Sequence, residues 1–292
     1  MGKEYEQDLL KKTQIILTDM MRQFDKICRD NDIDYFVAYG TAIGAIRHKG
    51  FIPWDDDIDV GMMRTEYEKL KKVFETQDTG NLYLSSADSD DEWHDKFFPK
   101  LNYRGTVYIS DNWHDSFEKD GEKDGRPINF DIFLYDYADE DHLKIAKKTM
   151  DLKRNYMYTK FKAKLIKGKG VGAFVSSLAK RLMYDIHASD PDYPKKQFAK
   201  YLKLIEHPKS DYIICYDTWS EFDVTSSFIR YDESFPTKSV QFEGIDVKIQ
   251  KDYAKTLTAQ YGDYMTLPPV DQRVAHPPYN VSFGDYKFPD EA

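Results

Sequence analysis

Residues 36–63 read FVAYGTAIGAIRHKGFIPWDDDIDVGMM, and within five positions the stretch gathers Asp55, Asp56, Asp57 and Asp59 before returning to Val60, Met62 and Met63. Carboxylates so close repel one another and lose solvation, so the cluster needs water, a metal ion or another cation to compensate it. A solvated acidic turn is one answer. The flanks point to a different one. Ile58 and Val60 alternate with Asp57 and Asp59, so an extended chain sends the aliphatic side chains to one face and both acids to the other, ~6–7 Å apart at Cα. A strand that buries one face and pairs carboxylates on the other has the geometry of a metal site.

The residues just upstream complement those acids. Residues 35–39 read as a short strand, and Gly40-Thr41 opens a helix of small residues that stops near Lys49-Gly50. A glycine and a hydroxyl at a helix start expose backbone N–H groups and the positive end of the helix dipole, which suits a phosphate. Carboxylates on the next strand suit Mg²⁺ (or Mn²⁺), which takes oxygen ligands and bridges protein acids to substrate phosphates. A third acid on a neighbouring strand completes a site for in-line displacement. INFDIFLYD, residues 128–136, offers Asp131, with Phe130 and Ile132 alternating against it. An acid at a sheet edge is the other reading of Asp131.

At 292 residues, 41% hydrophobic and 32% charged, the chain has the composition of a globular protein able to bury a full core. Residues 1–30 are expected to form an amphipathic helix on the core through Leu9, Ile16, Leu17, Met20, Phe24 and Ile27, and 31–292 one catalytic domain. Further strands are expected at 81–86 and 97–110, a hairpin at 235–249, and helices at 65–75 and 252–261. The predicted fold class is α+β: a mixed sheet flanked by helices, with a helical basic segment and a C-terminal extension. The start MGKEYEQDLLKK is charged and no apolar run reaches membrane-spanning length, so the expected location is the cytoplasm. Cys28 and Cys215 are too few for a disulfide framework or a zinc quartet.

The formal charge of −9 disfavours a nucleic-acid partner. That charge is unevenly spread: residues 152–184 hold nine Lys or Arg and no acid, leaving the remainder at −18. Leu165, Val171, Phe174, Val175, Leu178, Leu182 and Met183 accompany these cations at partly helical spacing. This segment is expected to be a basic helix, packed on the domain or docked peripherally on an anionic membrane, the inner face of the cell membrane being the site in view.

With these residues in place, YGTAIGAIRHKGFIPWDDDIDVGM resembles the LicD family of bacterial phosphotransferases, within the nucleotidyltransferase superfamily and distantly related to the fukutin-type proteins. FPTKSVQFEG (235–244), YGDYMTLPP (261–269), Arg273 and His276 carry the resemblance further, over roughly residues 32 to 280. The chain departs from the family after Asp131, where Leu134 and Tyr135 stand in place of a proline turn. The resemblance implies transfer of a phospho-alcohol, often phosphocholine from CDP-choline, to a sugar hydroxyl of a polysaccharide, teichoic acid or lipid-linked glycan. It implies metal on Asp57, Asp59 and Asp131 as the catalytic acids, and phosphates on Gly40 and Thr41.

Other candidates for substrate binding are Arg47 and Lys49 at the end of the small-residue helix, Lys100 and Arg104 around a turn, and Arg273 with His276. Each also has an ordinary structural reading. Trp54, Trp93 and Trp113 are candidates for an aromatic box around a quaternary ammonium. Two rival functions stand beside the transferase. A nucleotidyltransferase moving NMP to a small molecule would use the same acids and glycine. A calcium-binding loop would count Asp55, Asp57, Asp59 and Glu66 as ligands, but its sharp turn calls for glycine where this chain has Val60.

Overall fold

The computed structural model describes residues 7–89, 91, 94, 96–110, 126–166, 170–217, 225–273 and 278–289. The first helix, α1 (Gln7–Asp30), buries Ile16, Leu17, Met20, Met21, Phe24 and Cys28 along one stripe. Its far end is tied down by polar contacts: the Tyr35 hydroxyl donates to Asp25 Oδ1 at 2.7 Å, and Arg29 Nε donates to Asp25 Oδ2 at 2.7 Å. There follow β1 (Phe36–Val37), α2 (Tyr39–Arg47), β2 (Asp59–Met63), α3 (Arg64–Thr76), β3 (Leu82–Ser85), β4 (Lys100–Tyr103), β5 (Val107–Ser110) and β6 (Asn129–Ala138). Three helices come next, α4 (His142–Lys160), α5 (Val171–His187) and α6 (Tyr193–Ile205). The chain then forms β7 (Tyr212–Cys215), β8 (Ile229–Arg230), α7 (Tyr231–Ser234), the hairpin β9 (Lys238–Phe242) and β10 (Ile245–Ile249), α8 (Tyr253–Tyr261) and β11 (Pro278–Ser282).

Among the described residues the main sheet runs β3-β4-β6-β2-β1-β10-β9, with β7 on the far part of β6 and β8 on β7. It is mixed. β2 and β6 are parallel, as are β1 and β10, while the other neighbours are antiparallel. A separate two-stranded sheet pairs β5 with β11. The α+β expectation is met.

The side-chain alternation expected of two strands places the core. Ile58, Val60, Phe130 and Ile132 are buried in one cluster with the α1 stripe, Leu70 and Val73 of α3, and Val247 of β10. The intervening residues Asp59 and Asp131 therefore face away from α1. Because β6 pairs with β2 on one side and β4 on the other, Asp131 lies inside the sheet and not at its edge. The basic stretch 152–184 covers the end of α4, the connection that follows it and most of α5, so the expected single basic helix is not formed. Lys153 on α4 is 3% exposed, its Nζ donating to the Tyr216 carbonyl at 2.7 Å, so this charge serves the core.

Element boundaries differ from the expected ones near the acids. The helix starts at Tyr39, which holds φ +46°, and β2 starts only at Asp59. Asp57 stands in the lead-in to the strand. The expected strand at 97–110 is two strands, β4 and β5, interrupted around Gly105 at φ +78°.

Candidate active site

The strand register builds the centre of the site. Asp59 of β2 is the partner of Asp131 on β6, and Asp131 is in turn the partner of Lys100 on β4. One row of the sheet thus reads acid, acid, base. Lys100 Nζ donates to Asp131 Oδ1 at 2.5 Å and to Asn129 Oδ1 at 3.2 Å, with the lysine 8% exposed. On the other side of Asp59, the Ala38 N–H donates to the Asp59 carbonyl at 2.9 Å, and α2 begins at the next residue. The first turn of that helix therefore opens beside the two acids.

Gly40 and Thr41 assemble the acidic loop. The Thr41 hydroxyl, buried, accepts the Asp59 N–H at 2.9 Å and pins the start of β2. A Cβ on Gly40 would lie 2.9 Å from Asp55 Oδ2, so glycine is what allows the Asp55 carboxylate to approach the positive end of α2. Asp55 is also held through its backbone, its carbonyl accepting from Gln14 Nε2 of α1 at 2.8 Å. Asp56 is tethered by the Tyr108 hydroxyl of β5, which donates to its Oδ2.

The electrostatics follow from this crowding. Burial, then Asp131 and Asp55, push the Asp59 carboxyl well above its ordinary range, against a smaller opposing effect of Lys100. Asp57 is pushed the same way, by burial first and then by Asp59, Asp55, Asp56 and Asp131. Asp57 as a residue is solvent-exposed, so its four acidic neighbours are the physically important cause.

Beside the row lies a cleft of about 330 Å³, lined by Asp56, Asp57, Lys100, Tyr108, Arg126, Asn129 and Asp131 among others. It brings cations to the rim of an acidic centre. Arg126 and Tyr108 escape a reading of motifs. Their only sequence signal is that Tyr108 falls in an expected strand and Arg126 just before another, and the Tyr108 N–H donates to the Arg126 carbonyl at 2.5 Å.

The remaining candidates are dispersed. Arg47 lies about 10 Å along α2 from Gly40, where its Nη1 donates to the Tyr264 carbonyl at 2.7 Å and anchors the C-terminal loop. Lys49 is exposed at φ +59°, its carbonyl accepting the Glu243 N–H at 2.9 Å. Arg104 is four residues beyond Lys100, about 13 Å along the strand, with its guanidinium 4.5 Å over the Tyr83 ring. Arg273 lies 5.4 Å over the ring of Trp54, the residue before Asp55 in the chain. One candidate box tryptophan thus already has a cation against it. His276, Trp93 and Trp113 lie outside the described residues.

A calcium loop is not formed, because β2 separates Asp59 from Glu66, whose Oε2 accepts the Asp34 N–H at 3.0 Å. Among the described residues no three His, Cys, Asp or Glu side chains close into a ready-made metal cage. The donor set still fits a hard cation. It is all oxygen, it repels itself, and it is open on one side, as suits an ion that keeps water and takes substrate oxygens.

Carboxylates side by side on parallel strands, at the start of a short helix, define a nucleotidyltransferase-type domain. Residues 32–167 match the family described as LicD/FKTN/FKRP, nucleotidyltransferase domain. Those residues thus carry a domain of the LicD type, and the likeness to a LicD protein extends over most of the rest of the chain. The chain is 28% identical over 275 residues, 91% of its own length and 95% of the relative's, to the lipopolysaccharide cholinephosphotransferase LicD of Haemophilus influenzae. An uncharacterised protein of Rickettsia prowazekii is 36% identical over 62 residues, covering 21% of this chain and 23% of that protein.

Proposed function

We propose that this chain is a metal-dependent phosphotransferase that moves phosphocholine from CDP-choline to a sugar hydroxyl of a cell-surface polysaccharide or its lipid-linked precursor. The observation that carries the reading is the Asp59–Asp131–Lys100 row beside the α2 start. Its class of substrate comes from the likeness to the Haemophilus cholinephosphotransferase over nearly the whole of both chains.

Asp57, Asp59 and Asp131 would hold Mg²⁺ or Mn²⁺, which when bound supplies charge stabilisation on the transferring phosphoryl group. The acceptor oxygen forms a bond to the choline-bearing phosphorus while the bond from that phosphorus to the bridging oxygen breaks, and CMP leaves with the electron pair. The acceptor's proton passes to a carboxylate, and Asp57 is the exposed one of the three acids. Lys100 and Arg126 in the cleft wall supply positive charge to the diphosphate.

Product analysis tests the proposal. Incubation with CDP-choline, Mg²⁺ and a lipopolysaccharide or teichoic acid acceptor should release CMP and label the glycan. Consumption of an NTP with release of pyrophosphate, and no CMP from CDP-choline, would instead make the chain an NMP transferase using the same acids.

A further inference from the structure

Helix α5 is amphipathic the wrong way round for a helix packed on its own domain. The side turned to the protein carries Ser177, Lys180, Arg181 and Tyr184, with Ser177 2% exposed. The outward side carries Val171, Phe174, Val175, Leu178, Leu182 and Ile186, with Val171 81%, Leu182 56% and Ile186 61% exposed. At 100° per residue these six fall within one arc of about 120°, a stripe about 25 Å long. Monomeric soluble proteins rarely leave so continuous an apolar face in water.

The contacts of the inward side hold this orientation in place. Ser177 Oγ accepts the Ile166 N–H at 3.1 Å, and Lys180 Nζ sits 4.6 Å over the Tyr158 ring of α4. The acid on the outward arc, Asp185, is compensated by Lys162, 3.2 Å away.

We infer that α5 docks the protein on an anionic membrane leaflet, lying in the interface with its apolar stripe down. Two observations select this occupant. The stripe, Val171 to Ile186, overlaps the 152–184 segment, which besides the buried Lys153 carries eight Lys or Arg and no acid, and Asp185 just beyond that segment is paired with Lys162, so anionic headgroups complement its surroundings. A second copy laid on the same face would bring two such segments together, and like charge opposes that. Among the described residues no helix is long and apolar enough to cross a membrane, so α5 lies on the surface.

The helix also has a physical route to the acids. Tyr158 and Phe161 pack in one cluster with Val107 and Ile109 of β5, the strand whose Tyr108 holds Asp56. Docking would thus set the cleft close to the headgroup layer, whatever the reaction performed there.

Co-sedimentation of the full chain with phosphatidylcholine vesicles, with and without phosphatidylglycerol, tests the inference. Binding should require phosphatidylglycerol, weaken with salt, and fall about tenfold or more in Leu178→Ser/Leu182→Ser. Replacing Lys164, Lys167 and Lys169 with Gln should weaken it as well. Circular dichroism checks that each variant is folded, and Val175→Ser/Ile186→Ser repeats the test elsewhere on the same face. Absence of binding, or equal binding to neutral vesicles, would overturn the inference. So would a dimer in sedimentation velocity that Leu178→Ser/Leu182→Ser dissociates, which would assign the stripe to a second copy.

Discussion

Asp57, Asp59 and Asp131 carry the same functional group in three different surroundings, and substitution separates them. A carboxyl whose folded-state pKa is raised contributes stability below its unfolded value and loses that contribution as pH rises through the folded value. Asp59 is such a group, so metal-free protein should lose stability as pH climbs from the ordinary carboxylate range toward neutrality. Asp59→Asn should therefore raise the melting temperature at pH 7 in chelator, by the equivalent of about 1 kcal/mol, while abolishing turnover. Asp57→Asn should also abolish turnover, with a smaller gain in stability because water screens the exposed side chain. Either variant retaining wild-type turnover at limiting Mg²⁺, as followed by CMP release, would remove it from the site. Asp131→Asn should behave oppositely in stability. It takes the ion-pair partner from the buried Lys100 ammonium and leaves it the Asn129 amide oxygen, at a cost of about 2 kcal/mol, which Asp131→Asn/Lys100→Met should largely restore without restoring activity.

At the scale of the element, α2 determines where the acids point, and its own position depends on close packing at Gly44. A Cβ there would lie 2.4 Å from the Gly50 carbonyl oxygen and 3.3 Å from the Ile52 nitrogen. Both are backbone atoms, so neither can rotate away. Gly44→Ala should cost about 2 kcal/mol and lower kcat, because displacing α2 shifts the Thr41 hydroxyl that holds the Asp59 N–H. Gly172→Ala in α5 is the control, since its Cβ meets nothing within 4 Å, and its melting temperature should be unchanged or slightly higher. Thermal denaturation of the two variants checks the contrast. Element existence was readable because period and caps are local properties. Boundaries near the acids were not: β1 pairs as only two residues, and Tyr39 enters the helix in a left-handed conformation imposed by the turn it must make.

For the whole molecule, the proposed phosphotransferase reaction implies that the open and self-repelling acidic centre couples metal and substrate. Mg²⁺ alone should raise the melting temperature little, CDP-choline alone little, and the two together by more than their sum, since each completes the other's ligands. Differential scanning fluorimetry with Mg²⁺, Mn²⁺ and CDP-choline, singly and combined, reads this coupling without relying on turnover. Strictly additive shifts would argue against a shared site.

The sequence by itself determined the alternation that buries Ile58, Val60, Phe130 and Ile132, the placing of carboxylates on the face opposite them, the small-residue helix, and the basic segment. All of these depend on periodicity and on residue chemistry a few positions apart. Only the tertiary structure decided that Asp59 and Asp131 are register partners on parallel strands, that Lys100 neutralises Asp131, and that Asp55 occupies the start of α2. It also decided that Arg47 and Arg104 go elsewhere. Strand order and register come from long-range packing, and a one-residue slip would have turned Asp131 into the core. The outward direction of the α5 stripe belongs to the same category, because a periodic pattern defines an apolar face but not which side of the helix the rest of the chain will cover.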